Sequence, residues 1–175
     1  MVTYPSDWKQ SDIGNITDAI ITGGTPSTSN PAYWNGKIPW LASAEIHQKR
    51  VKRPTQYITS IGIQNSSAKM APEGSVLIAL AGQGKTRGTA AILMTDMAIN
   101  QSIAALVANS DTNKDFLYYK MASEYLELRK VSSGDGGRGG LNKKLLKSFS
   151  ICIPSDKDEQ ESIAKILSEI DVYIS

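Results

Sequence analysis

The stretch "ITGGTPSTSNPAYWNGKIPWL" (residues 21–41) alternates turn-forming residues with short apolar runs. Gly, Pro, Ser, Thr and Asn cluster in "TGGTPSTSNP" and again in "WNGKIP", and such clusters mark turns. The bordering runs "AIIT" (19–22) and "IPWLA" (38–42) favour strands. The stretch therefore predicts a β-rich fold of short strands joined by turns.

The same pattern continues as far as Asn109. Turn signals such as "APEGS" and "AGQGKTRG" separate further β-favouring runs, and each run predicts a strand. These runs are "TQYIT" (55–59), "SVLIALA" (75–81), "TAAILM" (89–94) and "SIAALVA" (102–108).

Beyond Asn109 the apolar residues follow helical spacing. Their recurrence at every third or fourth position in 112–131 predicts one amphipathic helix, with Thr112 or Asn113 as its N-cap. The apolar face of this helix consists of Leu117, Met121, Tyr125 and Leu128. A glycine-rich loop, a short helical piece "LNKKLLK" and a strand-like "FSICIP" follow.

The C-terminal stretch "PSDKDEQESIAKILSEIDVYIS" predicts another helix, with Ser155 and Asp158 forming a capping box. Apolar residues at 3-4-3 spacing, as in a coiled-coil seam, are Ile163, Ile166, Ile170 and Tyr173. This face suits either docking on the helix's own domain or contact with a partner helix. We divide the chain into a domain at 1–154 and the start of a separate helix at 155–175.

Composition narrows the classes of protein. A length of 175 residues fits one domain with a real core. The single cysteine, Cys152, excludes an internal disulfide and fits a reducing compartment. We find no signal-peptide pattern and no apolar run long enough to span a bilayer, so we expect a cytoplasmic protein. The net charge of +2 permits a nucleic-acid partner without requiring one.

Two motifs of enzymes are only partly present. The loop "GQGKT" resembles a nucleotide-binding P-loop, but Ala79 stands where the first glycine is needed, and a β-like run rather than a helix follows Arg87. "NPAY" (30–33) approximates the N-P-P-Y type motif of adenine methyltransferases, yet a turn set by Asn30 and Pro31 explains it better. The only histidine, His47, lies in a basic cluster. We therefore predict no catalytic centre and no metal site.

Several segments, in order, resemble one family. The Gly-Gly-Thr-Pro-Ser…Tyr-Trp…Ile-Pro-Trp pattern of 21–41 is similar to a signature of specificity (S) subunits of type I restriction-modification systems. "GKTRGTAAIL…AINQSIAALV", with its Asn100–Gln101 pair, resembles the next block of that family. "GRGGLNKKLLKSFSICIP" and "EQESIAKILSEID" resemble its closing block.

The resemblance implies an α+β fold: a double β-helix-like DNA target recognition domain with a small helical part and a C-terminal coiled-coil-type helix. It implies a non-catalytic subunit that reads half of a bipartite site in double-stranded DNA and directs methyltransferase (M) and restriction (R) subunits to it. Family members typically carry two recognition domains, so a chain with one is expected to pair with a second copy or a second specificity half. S-adenosylmethionine, ATP and Mg belong to the partner subunits, and no cofactor is expected here.

Within that implied function, glycine loops with nearby cations suit phosphate binding, and hydroxyls or amides on loops suit base edges. The candidate DNA-binding residues are Thr25, Ser27, Thr28, Lys49, Arg50, Lys52, Arg53, Lys85, Thr86, Arg87, Arg138, Asn142, Lys143 and Lys144. The candidate partner or dimer helix residues are Ile163, Ile166, Ile170 and Tyr173.

Some alternatives stay open at this point. The hydroxyls of 25–28 also fit plain turn chemistry, and a run of cations such as 49–53 is often a solvated face. Tyr33, Trp34 and Trp40 suit core packing better than stacking on a flipped base. For the whole chain, the alternatives are a nucleotide hydrolase built on "GQGKT" and an orphan domain that binds the M subunit without reading DNA.

Overall fold

The computed structural model describes residues 4–82, 84–132 and 140–174, apart from the side chain of residue 174. Within these ranges the strands are β1 (Trp8–Asp12), β2 (Thr17–Thr22), β3 (Trp34–Leu41), β4 (Arg50–Val51), β5 (Gln56–Ile58), β6 (Lys69–Ala71), β7 (Val76–Ala79), β8 (Ala90–Leu93), β9 (Met97–Ile99), β10 (Ile103–Ala108) and β11 (Ser150–Pro154). The α-helices are α1 (Ser60–Gln64), α2 (Lys114–Ser123), α3 (Tyr125–Ser132), α4 (Lys143–Lys147) and α5 (Lys157–Ile174). Short 3-10 turns span Ile13–Asn15, Pro31–Tyr33 and Ser43–Gln48.

The strands form sheets that stack with the helices in layers. One sheet has the order β2-β10-β7-β8-β4, a second has the order β5-β3-β9-β6, and β1 pairs with β11. In β7, Val76 and Ile78 face the helices, whereas Leu77 and Ala79 face the second sheet. The sequences of β7 and β8 are continuously apolar because both faces of the first sheet are covered. A mixed α+β fold is thereby confirmed.

The single helix predicted over 112–131 is wrong, because the structure has two helices there, α2 and α3. Asn113 caps α2 by accepting a bond from the Phe116 amide at 2.9 Å. At Glu124 the backbone adopts ψ 8°, far from the helical value near −42°, and α3 starts at the next residue. The predicted apolar face survives the break, since its members are buried or, for Tyr125, half-buried.

The capping box predicted at the start of α5 is also wrong. The Ser155 hydroxyl donates to the Asp7 carbonyl at 2.9 Å, because pairing of β1 with β11 brings these chain segments together. The carboxylate of Asp156 instead accepts from the Asp158 amide at 3.0 Å. An Asx turn therefore begins the helix in place of the box.

The first half of α5 is anchored to the rest of the domain. Gln160, 1% exposed, accepts from the Asn113 amide at 2.9 Å and donates to the Pro154 carbonyl at 3.1 Å. Farther along, the Tyr119 hydroxyl donates to Asp171 at 3.0 Å. These bonds fix α5 against α2, so the boundary predicted at 154/155 falls between elements that pack together.

Candidate nucleic-acid interface

The glycine loop, residues 80–89, of which the structure describes 80–82 and 84–89, connects β7 to β8 of an antiparallel hairpin. Its neck is closed by the Gly88 amide, which donates to the Ala79 carbonyl at 2.9 Å, and by the Ala79 amide, which donates to Thr89 at 3.0 Å. Gly82, Gly84 and Gly88 have positive φ, which favours glycine at these positions. The sequence prediction of a glycine-rich turn between two strands is confirmed.

This geometry does not suit a nucleotide-binding P-loop. A P-loop leads from a strand into a helix whose N-terminal amides receive the phosphate. Here the residues after Arg87 enter β8. The alternative of a nucleotide hydrolase built on this loop therefore finds no support in the fold.

Two side chains of helix α3 donate hydrogen bonds to the backbone of the glycine loop. One guanidinium nitrogen of Arg129, Nη1, donates to the carbonyls of Gly84 at 2.9 Å and Arg87 at 3.1 Å. The Tyr125 hydroxyl donates to the Lys85 carbonyl at 3.1 Å, and the Arg129 guanidinium lies 5.5 Å from the centre of the Tyr125 ring. The Lys85 side chain stays exposed.

The first loop, residues 23–30, is held by tryptophans. The indole N–H of Trp34 donates to the Ser27 carbonyl at 3.1 Å, and that of Trp40 donates to the Gly24 carbonyl at 3.0 Å. The rings themselves meet edge to face, with centroids 5.2 Å apart. Trp40 is buried and Trp34 is half-buried, so both rings pack beneath the first loop and hold its backbone in place.

Hydroxyl groups of the first loop reach its surface. Ser27 and Thr28 are exposed, and Ser27 lies in hydrogen-bond contact with Ser29 at 2.8 Å. The hydroxyl of Thr25 donates to the Gln101 carboxamide at 2.6 Å. Next along the chain, Asn30 caps the Pro31–Tyr33 turn by accepting from the Ala32 amide, so the turn explanation of "NPAY" is confirmed.

The turn at residues 100–102 contacts two loops, the first loop and the glycine loop. Gln101 contacts Thr25 of the first loop, and the carbonyl of Ser102 accepts from the Leu80 amide of the glycine loop at 2.8 Å. The carbonyl of Leu80 in turn accepts from the Leu141 amide at 3.2 Å. We call the first loop, the 100–102 turn, the glycine loop and residues 140–142 the loop cluster. It brings together candidates that are far apart in sequence.

Residues 142–144 have distinct roles at the edge of the loop cluster. The Asn142 side chain caps α4 by accepting from the Leu145 amide at 2.9 Å. Lys143 and Lys144 are exposed, and Lys143 lines a cleft beside Asp18. The remaining candidate of this region, Arg138, lies outside the described residues.

The basic segment, residues 49–53, lies apart from the loop cluster. β4 runs parallel to β8, with Arg50 opposite Ile92 and Val51 opposite Leu93. The glycine loop enters β8 at Ala90, so the residues after Val51 lie toward the far end of that strand. Lys49, Lys52 and Arg53 are exposed, and the structure does not bring them to the loop cluster.

Arg50 differs from the other cations of its segment. Its guanidinium contacts Asp115 at 3.1 Å and the Tyr119 hydroxyl at 3.4 Å, and it lies 5.6 Å from the centre of the Tyr118 ring. Burial opposes the charge of Arg50, but the hydrogen bonds with Tyr119 and Asp115 outweigh it and raise the pKa of the guanidinium. Arg50 therefore ties β4 to α2.

The candidate partner face of α5 divides in two. Ile163 is half-buried and packs against the helical core. Ile166, Ile170 and Tyr173 are 58%, 46% and 89% exposed. The inner end of the face docks on its own domain, and the outer end is an apolar stripe on the surface.

Sequence reasoning missed Tyr125, Arg129 and a role for Gln101 in the loop cluster. Their partners are backbone carbonyls or a hydroxyl at least 40 residues away, and local pattern carries no signal of such contacts. Over the ranges that the structure describes, no group of three or more His, Cys, Asp or Glu side chains is placed to hold a metal ion. In the same ranges, no helix has the length and apolarity needed to cross a bilayer.

Comparison with known proteins identifies the family. The model of the type I restriction modification DNA specificity domain matches residues 5–174. The MjaIX specificity subunit of Methanocaldococcus jannaschii is 30% identical over 97% of this chain, and the EcoR124I/EcoR124II specificity subunit of Escherichia coli is 27% identical over 85%. The chain spans 39% and 37% of those relatives, respectively.

Solved structures agree on the fold. The HsdS subunit from Thermoanaerobacter tengcongensis superposes with a TM-score of 0.71 at 23% identity, over 99% of this chain and 39% of that one. The S subunit of a type I system from M. genitalium gives a TM-score of 0.67 at 18% identity, over 97% of this chain and 41% of that one. With its sequence matched almost end to end, the chain belongs to the type I restriction modification DNA specificity domain family.

Proposed function

We propose that this chain recognises a specific sequence in double-stranded DNA, as half of a bipartite target, for a type I restriction-modification system. The observation that carries the proposal is the loop cluster. Hydrogen bonds from Thr25 to Gln101, from Leu80 to Ser102 and from Leu141 to Leu80 gather hydroxyl, amide and cationic side chains at one end of the sheets. Such a mixture supplies both phosphate contacts and base-edge contacts.

The proposed contacts divide by chemistry. Exposed cations suit phosphates. Lys85, followed by Thr86 and Arg87, lies in the loop cluster, and Lys143 and Lys144 directly follow its residues 140–142. Arg138 is a further candidate close to them in sequence. Thr25, Ser27, Thr28 and Asn142 have polar groups suited to bases or sugars, although Thr25 and Asn142 also hold local structure. In the basic segment, the exposed candidates for phosphate contact are Lys49, Lys52 and Arg53. Arg50 is half-buried and pairs with Asp115, so it stabilises the segment.

We further propose that the chain works as a non-catalytic, cytoplasmic subunit without a cofactor of its own. Methyltransferase and restriction subunits then supply the chemistry, with S-adenosylmethionine, ATP and Mg. The exposed stripe of Ile166, Ile170 and Tyr173 suits a coiled-coil contact with a partner subunit, a second copy or a second specificity half. The double β-helix-like arrangement implied by the resemblance stays a prediction.

Selection from a random duplex library at low salt tests this function, with the chain alone and with a type I methyltransferase subunit. We expect enrichment of one short sequence and strong salt dependence of binding. The proposal fails if no duplex is retained under either condition. A complex with the methyltransferase subunit that retains DNA without sequence preference would favour the orphan interaction domain instead.

A further inference from the structure

We infer that Arg129 and Tyr125 are positioning residues, which hold the glycine loop in the shape that presents Lys85 to a DNA phosphate. The inference rests on the proposed function. Its geometric basis is that the carbonyls of Gly84, Lys85 and Arg87 all accept hydrogen bonds from the same face of α3. The three carbonyls are held against the helix while the Lys85 side chain points to solvent.

The loop has a conformation that needs such support. Gly84 and Gly88 have φ of +61° and +85°, and glycine gains backbone freedom when it is released from a fixed conformation. A Cβ at Gly88 would lie 3.3 Å from the Tyr125 carbonyl oxygen, so the loop and α3 are in close contact. A loop ordered before binding avoids an entropy loss at the moment of binding, and affinity rises accordingly.

Helix α3 is a firm base for these contacts. Leu128 is completely buried in the helical core, and the buried Ser132 hydroxyl donates to the Arg129 carbonyl at 2.7 Å. The Arg129 guanidinium also lies against the Tyr125 ring, which limits its rotation. Lysine cannot reproduce this arrangement, because its ammonium lacks the planar group that packs on the ring.

Three variants test the inference by duplex affinity and its salt dependence. Arg129→Lys keeps the charge and is expected to weaken binding about threefold to tenfold by loosening the loop. Tyr125→Phe removes only the bond to Lys85 and is expected to weaken binding about threefold or less. Added to Lys85→Gln, Arg129→Gln should leave the slope of log affinity against log salt unchanged, because a positioning residue touches no phosphate. The matched control is Lys130→Gln, an exposed neighbour paired with Glu127, which should bind like wild type.

Two further measurements separate positioning from folding and from direct contact. Amide hydrogen exchange at residues 84–88 should speed up in Arg129→Lys while exchange in β10 does not change. In the Tyr125→Phe background, Lys85→Gln should cost less affinity than in wild type, since the two residues act through one loop.

The possible outcomes are distinguishable. If the wild type binds no duplex, the proposed function has failed and the positioning role fails with it. If the wild type binds and Arg129→Lys binds equally well, the positioning role alone is overturned. A salt slope that falls by about one when Arg129→Gln is added to Lys85→Gln would also overturn it, by making Arg129 a phosphate contact.

Discussion

The glycine loop and the basic segment both carry clustered cations, yet the structure treats them differently. In the glycine loop, α3 binds the backbone carbonyls and leaves the Lys85 side chain in solvent. In the basic segment, α2 binds a cationic side chain itself, because Arg50 pairs with Asp115. Helix α3 thus fixes the main chain of the glycine loop, whereas helix α2 pairs with a cationic side chain of the basic segment.

The contrast teaches that a run of cations has no uniform role. Arg50 and Lys52 are two positions apart, but one is half-buried between aromatic and acidic groups and the other is exposed. Arg50 would have to give up its contacts with Asp115 and Tyr119 to bind a phosphate, and that exchange returns little free energy. We therefore expect DNA binding to depend more on the glycine loop than on Arg50.

The largest effect is expected from replacing Lys85 and Arg87 together by glutamine. Each phosphate contact contributes about 0.9 to the salt slope, so the slope should fall by about two and the affinity by about tenfold to a hundredfold at low salt. Binding to all duplex sequences should weaken alike, as measured by fluorescence anisotropy over a salt series.

The control for this double variant is its free energy of unfolding in urea, because Arg87 is half-buried. A protein that stays as stable as wild type ties the affinity loss to the contacts. An unchanged salt slope would remove both residues from the set of phosphate contacts. The glycine loop would then contribute no more to DNA affinity than the basic segment.

Arg50→Gln should act on stability rather than on DNA. Loss of a half-exposed ion pair costs about 0–1 kcal/mol, and loss of the contact with the Tyr118 ring adds about 0.5–1 kcal/mol. The free energy of unfolding should therefore fall by about 0.5–2 kcal/mol, as measured in urea, while the affinity of the folded protein changes little. Unchanged stability combined with a flatter salt slope would make Arg50 a DNA contact and break the contrast.

The longer strands that build the core were predicted from the sequence because their residues are apolar. β7, β8 and β10 are apolar runs bounded by turn residues, and burial on both sheet faces requires that composition. β1, with the sequence WKQSD, was missed because none of its side chains is buried, so the strand carries no apolar pattern. β4, β6 and β9 were missed because strands of two or three residues leave no periodicity to recognise, whereas the equally short β5 lies in the longer β-favouring run TQYIT.

For the candidate DNA-binding site, the sequence predicted the types of residue but not the contacts that hold them in place. Glycine with lysine pointed to the loop at 80–89, but pairing of that loop with Arg129 depends on where α3 packs, which local sequence does not encode. The break at Glu124 was likewise invisible, because Glu is a good helix former. Arg50 and Lys52 read alike in sequence, and only the position of Asp115 in the fold separates them.

A smaller loss of affinity than for the glycine loop, with the smallest change in stability, is expected from replacing Lys52 and Arg53 together by glutamine. Both side chains are exposed, so the free energy of unfolding should stay within about 0.5 kcal/mol of wild type. Long exposed side chains lose rotamer freedom when they bind, which offsets part of each contact. We therefore expect an affinity loss of about threefold to tenfold, less than for the glycine loop.

The same anisotropy salt series measures this variant, with Lys9→Gln as control, since Lys9 is an exposed cation on β1 outside both regions. A loss confined to some duplex sequences would assign the basic segment to base recognition rather than to phosphates. A loss as large as that of the Lys85 and Arg87 variant would show that a backbone held by a helix gives a cation no advantage, because two free side chains would then bind as well.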